Sequence, residues 1–157
     1  MRTKMRTQNI NRAALGLGLG LLYAILFTVS LQSTAQAENV PNINYRTITV
    51  DDVDIFYREA GNPKNPTILL LHGFPTSSHM FRDLIPELAD EYHLIAPDYP
   101  GYGFSSMPNV KDFDYTFDNV ATLVGKFVDQ IGVDKFSIYL MDYGAPIGFR
   151  IATAQPN

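Results

Sequence analysis

The chain has no cysteine and no tryptophan, and only three histidines in 157 residues. Without cysteine there is no disulfide framework, no thiolate zinc site and no cysteine nucleophile. Charge is also sparse: charged residues make up 18% of the chain and hydrophobic ones 46%. That balance makes disorder not the default reading and describes a globular protein with enough apolar surface for a core. Its length is that of one domain.

The N-terminus has a composition of its own. Met1 to Arg12 contains Arg2, Lys4, Arg6 and Arg12 and no acid, Ala13 to Leu31 is almost wholly apolar, and Ala35-Gln36-Ala37 follows. A basic start, an apolar run and an A-x-A site form a secretory signal peptide, so residues 1–37 are expected to be removed and the mature chain, 38–157, to be exported to a periplasm or beyond the cell. An apolar run of about 19 residues can just span a bilayer, so a retained segment would instead anchor the chain in a membrane. Its glycines and the A-x-A site favour cleavage. Removing four basic side chains and no acid takes the net charge from −4 to −8, which leaves no electrostatic footprint for DNA or RNA.

Beyond Glu38 the pattern alternates strand and helix. Tyr45 to Val50 and Val53 to Tyr57 alternate in polarity around Asp51-Asp52 and predict a hairpin. Thr67 to Leu71 is a continuous apolar run, as expected of a parallel strand covered on both faces. Met80, Phe81, Leu84, Ile85 and Leu88 share one helical face, and His93 to Pro97 is another short buried strand. Val120, Leu123, Val124, Phe127, Val128 and Ile131 recur at helical spacing over Thr116 to Ile131, with Gly132 in a capping place. Phe136 to Leu140 is a fifth strand and Ala145 to Ala154 a further helix. The class is α/β with a largely parallel sheet.

In such sheets ligands bind outside the carboxyl ends of the strands, and three loops leave those ends. His72-Gly73-Phe74-Pro75 follows the first buried strand, and its glycine lets the backbone turn and present an N–H to an oxyanion. His72 is expected to orient this loop. Asp98 to Ser105, with Gly101 and Gly103, predicts a tight structural loop without chemistry; the spacing is not a dinucleotide fingerprint. Asp142-Tyr143-Gly144-Ala145 joins strand to helix, where a nucleophile elbow lifts one side chain above the sheet and needs small residues beside it. Gly144 and Ala145 satisfy that need, whereas Leu140 is bulky for its place. Read alone, Asp142 could equally cap the helix.

These loops, in this order on these elements, resemble the α/β-hydrolase superfamily over nearly all of the chain after Tyr45, and within it the epoxide hydrolase and haloalkane dehalogenase branch. The resemblance implies an aspartate nucleophile, Asp142, that attacks a carbon bearing an epoxide oxygen or a halogen. A covalent ester forms, and a histidine-activated water hydrolyses it. It implies an oxyanion hole from the N–H groups of Phe74 and Tyr143, a supporting loop of His72, Gly73, Pro75 and Gly144, and neither metal nor cofactor. The substrate would be a small epoxide, organohalide or ester. Dehalogenases of this branch often carry asparagine and tryptophan where Phe74 and Tyr143 stand, so the Phe74-Pro75 pairing is more similar to an epoxide hydrolase.

The family's fold continues with more strands, a cap, a second acid and a catalytic histidine. His72, His79 and His93 all precede the elbow, so the chain is expected to be the N-terminal part of such an enzyme, truncated after the elbow helix, and not to turn over by itself. The alternative is a non-catalytic exported binding protein. The fifth strand is also expected to be an exposed sheet edge that promotes self-association.

Overall fold

The computed structural model describes residues 41–154; the signal-peptide expectation for 1–37 lies outside the described residues. Two strands, β1 (Asn44–Val50) and β2 (Val53–Ala60), form the expected hairpin, with Val50 opposite Val53. Asp51 and Asp52 at its tip both have positive φ, 47° and 65°, the turn geometry whose twist matches two paired strands. Strand β2 runs three residues past the expected Tyr57, because Arg58, Glu59 and Ala60 pair antiparallel with β4 (His93–Pro97).

Strands β3 (Thr67–Leu71), β4 and β5 (Phe136–Leu140) form the parallel part, giving the sheet order β1-β2-β4-β3-β5. Successive side chains of a strand point to opposite faces, and both faces are covered. Leu69, Leu71 and Ile95 join a core with Ile55, Val124, Phe127 and Ile147, while Leu70, Leu94 and Ala96 join a second one with Phe81 and Ile85. Coverage on both sides is why β3 and β4 read as unbroken apolar runs. Each large aliphatic or aromatic side chain so buried contributes about 1.5–3 kcal/mol.

The helical face expected over residues 80–88 breaks in two. Ser78–Phe81 forms a single 3-10 turn and α1 only Leu84–Leu88. Pro86 has no N–H to give and its ring clashes with the carbonyl four residues back, Arg82, so one continuous helix cannot form. Phe81 and Ile85 are buried all the same.

Helix α2 (Phe117–Gln130) starts where Thr116 Oγ1 accepts a hydrogen bond from the Asn119 N–H at 3.3 Å, a cap contributing about 1 kcal/mol. It buries Val120, Leu123, Val124, Phe127 and Val128. Helix α3 (Gly144–Ala154) adds Ile147 and Ile151 to the same side of the sheet.

Candidate active site

The carboxyl ends of β3 and β5 bring the two expected loops together. Asp142 has φ of +47°, a left-handed conformation that costs a non-glycine residue energy but that aspartate adopts more readily than most. Helix α3 begins two residues later, so the turn is a strained strand-to-helix elbow of the expected kind. Its packing explains the small residues. A Cβ on Gly144 would lie 2.4 Å from the Leu71 carbonyl oxygen, and one on Gly148 would lie 2.1 Å from Leu140 Cδ2. The bulk of Leu140 is thus absorbed one helical turn into α3, at a position the sequence pattern does not single out.

The Asp142 side chain is exposed, and Oδ1 accepts two backbone hydrogen bonds, from Phe74 N–H at 2.8 Å and Tyr143 N–H at 2.7 Å. These donors, Phe74's first, hold its carboxyl below the usual carboxylate range, as hydrogen bonds to a charged form do. Both contacts fall on one oxygen. Oδ2 takes neither of them.

His72 lies beneath this loop, fully buried. Its Nδ1 is 3.0 Å from the Gly73 carbonyl and its Nε2 accepts the Tyr99 N–H at 3.2 Å. The pair fixes the neutral tautomer with the proton on Nδ1, and burial pushes its pKa down. The Tyr99 hydroxyl donates back to the His72 carbonyl at 3.0 Å, and the two rings stack with centroids 4.0 Å apart. Burial raises the Tyr99 phenol far above its ordinary value, so it stays a donor.

The loop after β4 is tied down from within. The buried Asp98 carboxylate accepts the Ser78 N–H at 2.6 Å through Oδ1 and the Phe104 N–H at 2.9 Å through Oδ2. Ser78 Oγ in turn accepts from Nε of the buried Arg58 at 3.0 Å. This network joins β2, the 3-10 turn and the loop, which suits the structural reading of Asp98 to Ser105.

The contacts of the three histidines are all with residues other than Asp142. Both ring nitrogens of His72 are engaged as described. His79 Nδ1 faces Arg58 at 3.5 Å, and His93 bridges Thr67 Oγ1 at 3.0 Å and Glu59 Oε1 at 3.1 Å. The two residues whose N–H groups hold Asp142 also carry rings in contact: Phe74 and Tyr143 lie 5.5 Å apart, and Phe117 meets Tyr143 edge-on at 5.1 Å. Phe117 was not among the expected site residues. It opens α2, far from the motif loops in sequence, so nothing local places its ring against Tyr143.

The family model described as alpha/beta hydrolase fold matches residues 66–157. An uncharacterized hydrolase from Saccharomyces cerevisiae is 51% identical over 107 residues, 68% of this chain and 36% of that protein. Haloalkane dehalogenase 2 of Mycobacterium tuberculosis is 41% identical over 103 residues, 66% of this chain and 35% of that protein. Among solved structures, an epoxide hydrolase variant from Vigna radiata superposes with a TM-score of 0.65 at 31% identity, covering 73% of this chain and 36% of that one. The chain therefore spans little more than a third of the length of these relatives. With the elbow, the two-loop carboxylate cradle and this match over more than half its length, the chain belongs to the α/β-hydrolase fold family.

Proposed function

We propose that this chain carries the nucleophile of an epoxide hydrolase-like enzyme and that Asp142 forms a covalent ester with its substrate. The observation supporting this reading most is the convergence of the Phe74 and Tyr143 N–H groups on Asp142 Oδ1. Oδ2 attacks the less hindered epoxide carbon, the C–O bond breaks, and the ring oxygen leaves as an alkoxide that takes a proton from water. Oδ1 becomes the ester carbonyl oxygen, already in its donor cradle. When water attacks that ester, negative charge builds on Oδ1 between the same two N–H groups, the arrangement that stabilises a tetrahedral intermediate. An aspartate suits the first step because it is ionised without a base.

A second reading, haloalkane dehalogenase-like, is favoured by the 41% identity to haloalkane dehalogenase 2; there the C–halogen bond breaks and halide leaves. Against it stands Phe74, whose side chain offers no N–H to a halide. Export of the mature chain belongs to this proposal too and rests on the basic, apolar and A-x-A pattern of residues 1–37.

Mass spectrometry of the chain treated with styrene oxide or a bromoalkane tests the reading. One adduct on the peptide containing Asp142, lost in Asp142→Asn, is expected with the epoxide. Adduct from the bromoalkane alone would favour the second reading, and no adduct from either would remove both.

A further inference from the structure

A groove of about 990 Å³ begins at Phe74 and runs between the loop after β3 and the loop after β4, without Asp142 in its lining. Phe74 is the link between the two, because its backbone N–H donates to Asp142 and the same residue walls the groove. Tyr102, Met107, Val110 and Tyr115 form much of the rest. Not one lining residue is charged, in a chain with 12 basic and 16 acidic residues. Tyr115 has its hydroxyl turned onto the Pro108 carbonyl at 2.7 Å, and Tyr102 is held edge-on by His72 with ring centroids 5.2 Å apart. Met107 and Val110 stand 78% and 80% exposed at its rim, a clustering of large apolar side chains in water that marks a binding surface.

We propose that this groove is the subsite for the uncharged hydrocarbon arm of the substrate whose reactive carbon meets Asp142. The chain would then select neutral, long-tailed electrophiles over short or carboxylate-bearing ones. The proposal rests on Asp142 as nucleophile for its purpose, though not for the binding itself. Its volume lies at the upper end for small-molecule sites. Apolar walls reward each methylene taken from water, and they offer a carboxylate nothing in exchange for its hydration. A polypeptide segment or a second copy of the chain would compete for the same surface, and the test separates them.

The binding test uses backbone amide shifts of the chain titrated with neutral vicinal diols and with octanoate. Octanediol is expected to shift Gly101, Gly103 and Val110, to bind up to about fourfold tighter per methylene than butanediol, and to bind at least about tenfold tighter than octanoate. Met107→Asp should flatten that chain-length dependence and Met107→Leu should keep it. Shifts elsewhere, no dependence on length, octanoate binding as well as the diol, or groove shifts that follow protein concentration instead of diol would each overturn the proposal. Alkylation of Asp142 by butene oxide and octene oxide then separates the two levels. Adducts without length preference leave the nucleophile standing and remove the subsite. Diol binding in the groove with no adduct from any electrophile keeps the subsite and removes the nucleophile.

Discussion

The Phe74 N–H and the Asp142 carboxylate meet at 2.8 Å across 68 positions of sequence. One loop supplies the carboxylate and the other a donor that fixes its Oδ1. Between them sits Gly73, where a Cβ would lie 2.6 Å from Asp142 Cβ and 2.9 Å from Oδ1. Gly73→Ala must therefore push the carboxylate out of its cradle. We expect at least a tenfold loss in the rate of Asp142 alkylation and about 1–3 kcal/mol lost from unfolding free energy, as for other overpacked sites. Labelling kinetics and urea titration read these separately, and unchanged labelling would show that the cradle does not set reactivity.

The two donors also predict a pH profile. They hold the Asp142 carboxyl below its usual range, so alkylation should stay flat from neutral pH down through pH 5. It should fall only below the ordinary aspartate value of about 3.9. The linkage has the same sign: a depressed carboxylate adds stability above its unfolded pKa and loses it as pH falls through the folded one. A labelling midpoint at or above the ordinary value would contradict the cradle.

His72 gives the opposite end of the scale. Burial lowers its pKa, so the unfolded chain binds the proton more readily than the folded one. Stability is then full above the ordinary histidine value of about 6.5 and declines as pH falls below it toward the folded pKa. In His72→Gln a side-chain oxygen can still accept the Tyr99 N–H, but nothing titrates there. Denaturation midpoints between pH 7 and pH 5 should change less in that variant than in the parent, and equal slopes would place the effect at another histidine.

Strand β5 pairs on one side only among the described residues, with β3, and none of its five residues is fully buried. Such a row of free backbone groups templates pairing with another chain. The 157-residue polypeptide is therefore expected to self-associate, and Ser137→Lys, a charge at an exposed position on this edge, to reduce it. Light scattering against concentration reads the difference; a parent chain that stays monomeric removes the prediction.

The parts of this architecture that the sequence shows are those set by local composition. Thr67–Leu71 and His93–Pro97 have the bounds their apolar runs imply, and α2 lies within a residue of its periodic pattern at each end. Where residues answer to distant neighbours, the pattern is silent. Nothing local places β2 beside β4, since that order is decided by which faces two helices cover. The helical face over 80–88 was legible, but Pro86 decides its shape. The elbow and the His-Gly loop were visible as glycine-bearing strand ends, although their meeting on a single oxygen was not. Met107 and Val110 sit in a loop without periodicity, so only their exposure beside Phe74 reveals a wall.

A carboxylate oxygen clamped by donors from two strand ends is also a gauge of assembly. If either loop frays, Oδ1 loses a donor, and the proton affinity of Asp142 rises with it. The titration of one side chain thus reports whether the ends of β3 and β5 still sit side by side, and it does so at a single atom.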